Sequence, residues 1–215
     1  MNHDLILYYA RRAAEYERHY ETPARAGDLA TLKALLRPAF AGRDVLEVAC
    51  GTGYWTQAIA ASARSIVGVD ANVVTLDIAR RKSYASCPVS FAVADAYDLA
   101  DVGAGFTGGL CAFWLSHVPR RRLAEFFPVF HARLSPGALV IALDAIYVHG
   151  QNTPISRTDA NGDTYQSRTL ADGSLHEVLK NFLLDDELKN AVGEQALDLE
   201  LRRLEYYWLL RYRLG

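Results

Sequence analysis

Residues 45–56 read V-L-E-V-A-C-G-T-G-Y-W-T. A short apolar run ends in an acid, a turn follows with Gly51 and Gly53, and a helical pattern starts at Tyr54. Glycine has no Cβ, so a ligand can approach the turn backbone closely. The unpaired N–H groups at the start of the helix face the same crevice. The neighbours of the glycines narrow the ligand. A dinucleotide fingerprint places a third glycine three positions after the second, and Thr56 stands there. A phosphate-cradling loop needs a lysine, and this turn has none. Glu47, ahead of the glycines, repels a pyrophosphate and suits a ligand carrying an ammonium group.

The flanking sequence continues the alternation. Strands are expected over 45–49, 65–70, 89–95, 109–115 and 138–144, with helices over 54–63, 73–82 and 120–134. Pro128 predicts a kink or a late start in the third helix. Ser135-Pro136-Gly137 predicts a turn. Strand runs this apolar suit a sheet covered on both faces, and β-α alternation predicts a parallel, doubly wound α/β sheet. Residues 146–176 break the pattern with two turn-rich stretches, T-D-A-N-G-D-T and A-D-G-S. Short strands are expected around them at 165–170 and 177–182, then a helix over 185–195. One or two last strands fall within 199–214. Ahead of the first strand, Leu5, Tyr9, Ala13, Tyr16 and Tyr20 recur at helical spacing. Pro23 ends that helix, and a second runs over about 26–36.

A chain of 215 residues, 51% hydrophobic, suits one domain with small additions. Its 23 basic and 25 acidic residues leave a net charge of −2, so no electrostatic footprint for nucleic acid or an anionic membrane is expected. Cys50, Cys87 and Cys111 are widely spaced and form no C-x-x-C. That argues against a disulfide framework or a structural zinc site and for a reducing, cytoplasmic setting. The first residues lack the apolar run of a signal peptide, and no segment approaches about 18 unbroken apolar residues. No membrane partner and no metal site are expected.

The E-x-A-C-G-T-G run resembles motif I of the class I S-adenosylmethionine-dependent methyltransferases, usually E/D-x-G-x-G-x-G, and most closely the bacterial small-molecule group. Ala49 departs from it where the first glycine commonly stands; Cys50, Gly51 and Gly53 complete the turn. Asp70 ends the second strand in G-V-D-A-N, which resembles motif II. An acid at that point of a doubly wound fold can accept hydrogen bonds from ribose hydroxyls. The resemblance implies that Asp70 binds both of them and that Ala71 and Asn72 lie beside the adenine. It also implies that Asp95 accepts from the adenine amine and that the Ala96 N–H meets a ring nitrogen. At the fourth strand, F-W-L-S-H-V-P offers a Phe113 or Trp114 carbonyl to the methionine ammonium, and places His117 as a candidate catalytic base. Such residues gather at the carboxyl ends of parallel strands, in the crevice of an open sheet. The expected sheet has seven strands, one of them antiparallel.

The tyrosines of the amino-terminal helix have two readings. They are a packing stripe, or Tyr8 or Tyr16 closes over the cofactor, an aromatic face stabilising the cationic sulfonium by roughly 0.5–2 kcal/mol. Residues 1–40 are expected as a helical cap and 41–215 as the cofactor-binding core, with a lid-like insertion at about 146–180. The implied activity is methyl transfer from S-adenosylmethionine to a small-molecule acceptor, by a monomer or homodimer. Two other readings stand beside it. One is a cyclase that turns the cofactor into a cyclic amino acid and methylthioadenosine. The other is a non-catalytic nucleoside-binding module.

Overall fold

Strand residues that alternate in burial partner, apolar on both sides, can only sit in the middle of a layered sheet. In the computed structural model, which describes residues 3–85 and 87–215, that is how the central strands are used. Val45, Leu110, Leu139, Ile141 and Leu143 point into one apolar layer, with Leu32 and Leu36 of α2 (Ala26–Ala39) and Trp55 and Ile59 of α3 (Tyr54–Ala60). Leu46, Val48, Cys111, Val140 and Ala142 point into the other, against Phe126, Phe127 and Phe130 of α5 (Leu123–His131) and Leu188 and Val192 of α6 (Asp185–Val192).

The main sheet has seven strands in the order β3-β2-β1-β4-β5-β10-β9. They are β1 (Asp44–Val48), β2 (Ser65–Asp70), β3 (Val89–Val93), β4 (Phe106–Ala112), β5 (Leu134–Ala145), β9 (Ala196–Arg203) and β10 (Tyr207–Leu214). Neighbours among the first five are parallel, and β10 is antiparallel to both β5 and β9. The expected doubly wound sheet with one antiparallel strand is present. Helix α4 (Val73–Arg80) connects β2 to β3, its cap being Asn72, whose side chain accepts from the Val74 N–H.

Two sequence expectations are corrected and one is resolved. Strand β4 ends at Ala112 and not at 115, so Phe113 and Trp114 lie beyond its tip and Leu115–His117 forms a short 3-10 turn. Ser135-Pro136-Gly137 does not separate helix from strand. It lies within β5 as an irregularity opposite Phe106–Gly108, with Gly137 at φ +76° supplying the bend. Residues 199–214 supply parts of two strands, the break falling at Leu204–Tyr206. Pro128 stays inside α5, and that helix starts late, at Leu123.

Two additions flank the carboxyl ends of β1, β2 and β4. The first comprises α1 (His3–Arg12) and a 3-10 segment, Ala13–Glu21. The other is a three-stranded antiparallel sheet of β6 (Arg157–Thr158), β7 (Thr164–Thr169) and β8 (Leu175–Leu179). Asn181 fastens it to the core. Its Nδ2 donates to the Val118 carbonyl at 3.0 Å and to Asp163 at 2.8 Å, and its own N–H donates to the Ser116 carbonyl at 2.7 Å. Residues 1 and 2 of the expected cap lie outside the described residues. No helix among those described is long and apolar enough to cross a membrane.

Candidate active site

The turn after β1 is held from beneath and from the side. Glu47 is buried, and Thr56 Oγ1 donates to its Oε2 at 2.5 Å. Burial pushes this carboxyl up to about 8. Thr56 thus replaces the third glycine of a dinucleotide fingerprint with a side chain that reaches back to the strand. Cys50 is buried against Gly68, and burial pushes its thiol well up. Gly53 takes φ +78° at the start of α3, where a Cβ would lie 2.5 Å from the Tyr84 hydroxyl. Gly51 takes φ +56° with nothing within 4 Å of an added Cβ, so its backbone opens onto the crevice.

Asp70 stands across from it at the tip of β2. Its carboxylate accepts from the Gly51 N–H at 2.9 Å and from the Asn72 N–H at 2.8 Å. Burial raises its pKa, and those two N–H groups oppose the rise. Ala49 and Phe113, just past the tips of β1 and β4, both hold left-handed backbone at φ 55° and 57°. Such strain at two adjacent strand ends is typical of a site that the surrounding fold over-determines. With Thr52, Asn72, Thr75, Ala112, Trp114 and His117, these residues line a cleft of about 80 Å³. Leu5, Ile6, Tyr9 and Tyr16 roof it. The roof is tied down at both ends. Asn72 Nδ2 donates to the Ile6 carbonyl at 3.0 Å. Glu17 accepts from Thr52 Oγ1 at 2.5 Å and forms an ion pair with Lys82. Trp114 Nε1 is a buried donor with no hydrogen-bond partner among the described residues.

A second cavity, of about 480 Å³, adjoins the first. Tyr9, Tyr16, Phe113 and His117 line both. His117 lies at their junction. Its Nδ1 is 2.7 Å from the Leu179 carbonyl, which can only accept, so the proton sits on Nδ1. The Nε2 lone pair then accepts from the Tyr9 hydroxyl at 2.7 Å. Burial, reinforced by Lys180, pushes the imidazole down to about 3, so it is neutral at physiological pH. Behind it, Lys180 donates to Ser116 Oγ at 2.6 Å and to Asp144 at 3.0 Å. Burial works hardest against the charge on Asp144, but Lys180 and the surrounding groups, the Ala145 and Ser116 N–H donors among them, together outweigh it and the carboxyl stays below its ordinary range.

Residues 45–137 match the family model described as a methyltransferase domain. A demethylmenaquinone methyltransferase of Clavibacter sepedonicus is 34% identical over 103 residues, 47% of this chain and 40% of that protein. The match therefore spans well under half of the curated relative. Among solved structures, the DhpI–SAH complex is 27% identical, covers 99% of this chain and 96% of its own, and has a TM-score of 0.74. The DhpI–SAM–HEP complex is 25% identical over 98% of each chain, with a TM-score of 0.77. Residues 45–137 therefore resemble a methyltransferase domain, and nearly the whole chain shares the fold of the two DhpI complexes.

The residues expected from sequence divide between several places. Tyr16, Ala49, Gly51, Asp70, Asn72, Phe113, Trp114 and His117 meet in the cleft. Tyr8 does not: it lines the larger cavity, with its hydroxyl 3.3 Å from Arg12. Glu47, Cys50 and Gly53 support the turn from behind. Ala71 and Asp95 are half-buried and Ala96 is buried; none of the three lines the cleft. Asp95 Oδ1 accepts from the Tyr97 N–H at 3.0 Å. Sequence reasoning gave no site role to Tyr9, Asp144 or Lys180, whereas Arg168 lies in the Tyr165–Arg168 stretch expected to help form the lid. Tyr9 was visible as one of a helical stripe, but its partner is 108 positions away.

Proposed function

We propose that the cleft binds S-adenosylmethionine and that the protein transfers its methyl group to a small acceptor held in the larger cavity. One observation carries the reading: the Asp70 carboxylate and the open Gly51 backbone meet in one cleft that shares a wall with a second cavity. These groups fit a nucleoside. Asp70 has lone pairs left for ribose hydroxyls after its two backbone bonds. When bound, the nucleoside supplies an electrophilic methyl: an acceptor lone pair forms the new bond to it as the carbon–sulfur bond breaks and its electrons go to sulfur.

The remaining work falls to the chain. The thioether leaves neutral and needs no acid, so positioning and water exclusion dominate. Phe113, Tyr9 and Tyr16 form the wall the acceptor must reach across. His117 acts through Tyr9: a neutral imidazole with its proton fixed on Leu179 holds the phenol hydroxyl in one orientation at the junction. That makes His117 a positioning residue.

Calorimetry with S-adenosylhomocysteine tests the reading. Asp70→Ala should weaken binding about tenfold or more, since it removes an ionic acceptor from the site; unchanged affinity sinks the site assignment. His117→Ala should keep that affinity while lowering kcat. If kcat is also unchanged, the Tyr9–His117 pair has no part in turnover.

A further inference from the structure

The larger cavity carries far more positive charge than its surroundings balance. Arg12, Arg18, Arg25, Arg168 and Lys180 line it, and Glu15 is the one acid in the lining. Glu15 is paired with Arg18 at 3.6 Å. Lys180 is answered by Asp144. The three remaining guanidinium groups meet only neutral acceptors among the described residues. Arg12 donates to the Tyr8 hydroxyl, and Arg25 to the Gln151 carbonyl at 2.9 Å. Arg168 is held in a fork by the buried Gln166, whose Oε1 accepts from Nε at 3.2 Å and from a terminal nitrogen at 2.7 Å. Gln166 is fixed in turn by donating to the Thr153 carbonyl at 2.5 Å. This fork aligns the Arg168 guanidinium, and its other donors meet only the neutral Tyr8 and Tyr9 hydroxyls, so no anion among the described residues balances its charge.

Resting on the methyl-transfer reading, we propose that the acceptor is a small molecule with a doubly charged oxyanion head group, of the phosphoryl or dicarboxylate kind, seated on Arg168, Arg12 and Arg25. The charge balance requires more than one negative charge. The carboxylate of the bound nucleoside can neutralise at most one guanidinium, and its ammonium and sulfonium add positive charge to the same region. Two cations are then left facing the acceptor. A planar guanidinium presents paired donors that match phosphate and carboxylate oxygens, which a point charge does not. Lys180 has spent two of its three donors on Ser116 and Asp144, and the third can join the same anion. Tyr9 and His117 stand between this anion seat and the cleft, where the reacting atom of the acceptor must lie.

The test is calorimetry at low ionic strength on the full chain saturated with S-adenosylhomocysteine, titrated in separate arms with inorganic phosphate and with malonate. At least one dianion should give saturable heat, and the tighter of the two assigns the head group to the phosphoryl or the dicarboxylate kind. Arg168→Gln should weaken that anion by about tenfold or more, as expected for losing charged hydrogen bonds, and leave S-adenosylhomocysteine affinity within about twofold. Arg25→Gln provides the same readout should Arg168→Gln fold poorly. The proposal is overturned if neither anion saturates, or if a folded variant binds the anion as the wild type does. Failure to bind S-adenosylhomocysteine at all would instead defeat the methyl-transfer reading beneath it.

Discussion

Ala49 shows how much one Cβ can reveal. It occupies the place where motif I commonly has glycine, and its φ of 55° is a left-handed conformation that penalises any side chain. Ala49→Gly should therefore raise the unfolding free energy by about 1 kcal/mol in a urea titration. A loss of stability would mean that the methyl packs usefully and that the strain is not felt. The same stretch shows where sequence reading reaches its limit. Asp70 could be read because a strand tip beside a glycine turn has one outlet, the crevice. Glu47 sits inside β1, where side chains alternate faces, and only the structure reveals that Thr56 draws it inward. The cationic lining was hidden for a different reason. Arg12, Arg25 and Arg168 come from the amino-terminal segment and β7, and nothing local in sequence says that these meet.

At the level of elements, the alternating core was legible because each strand is apolar on both faces and each helix is bounded by turn residues. The carboxyl end of β4 was misjudged by three residues, since F-W-L continues the apolar run while Phe113 has already turned to positive φ. The insertion gave away two strands but not its attachment, which depends on Asn181 and Asp163 meeting across 18 positions. The amino-terminal segment makes the element-scale prediction. Glu17 alone joins it to both Thr52 and Lys82. Glu17→Ala should loosen the roof, and stopped-flow measurements should find faster dissociation of S-adenosylhomocysteine with little change in melting temperature. An unaltered off-rate would show that the Asn72–Ile6 bond and the apolar contacts suffice.

Across the whole molecule, buried titratable groups set opposing slopes of stability with pH. Burial pushes His19 and His117 down to about 3 and His131 to about 4, from an ordinary 6.5. The unfolded chain takes up protons that the folded chain refuses, so stability falls as pH drops from 6.5 toward 3. Glu47 runs the other way, its ordinary 4.5 raised to about 8. Its contribution is complete below 4.5 and is lost as pH climbs through 8. Three imidazoles outweigh one carboxyl between 4.5 and 6.5, so the urea midpoint should peak near neutrality and drop clearly by pH 5. A midpoint that holds or rises into acid would contradict the buried, neutral histidines. The 80 Å³ cleft has a kinetic corollary. Small-molecule sites span roughly 300–1,000 Å³, so a nucleoside fits only after the lid of α1 and its 3-10 extension swings aside. The spent molecule has to leave by the same door. Mixing preloaded enzyme with acceptor should then give one rapid equivalent of product followed by a slower steady rate, and a linear trace from the first turnover would place the slow step in bond-making.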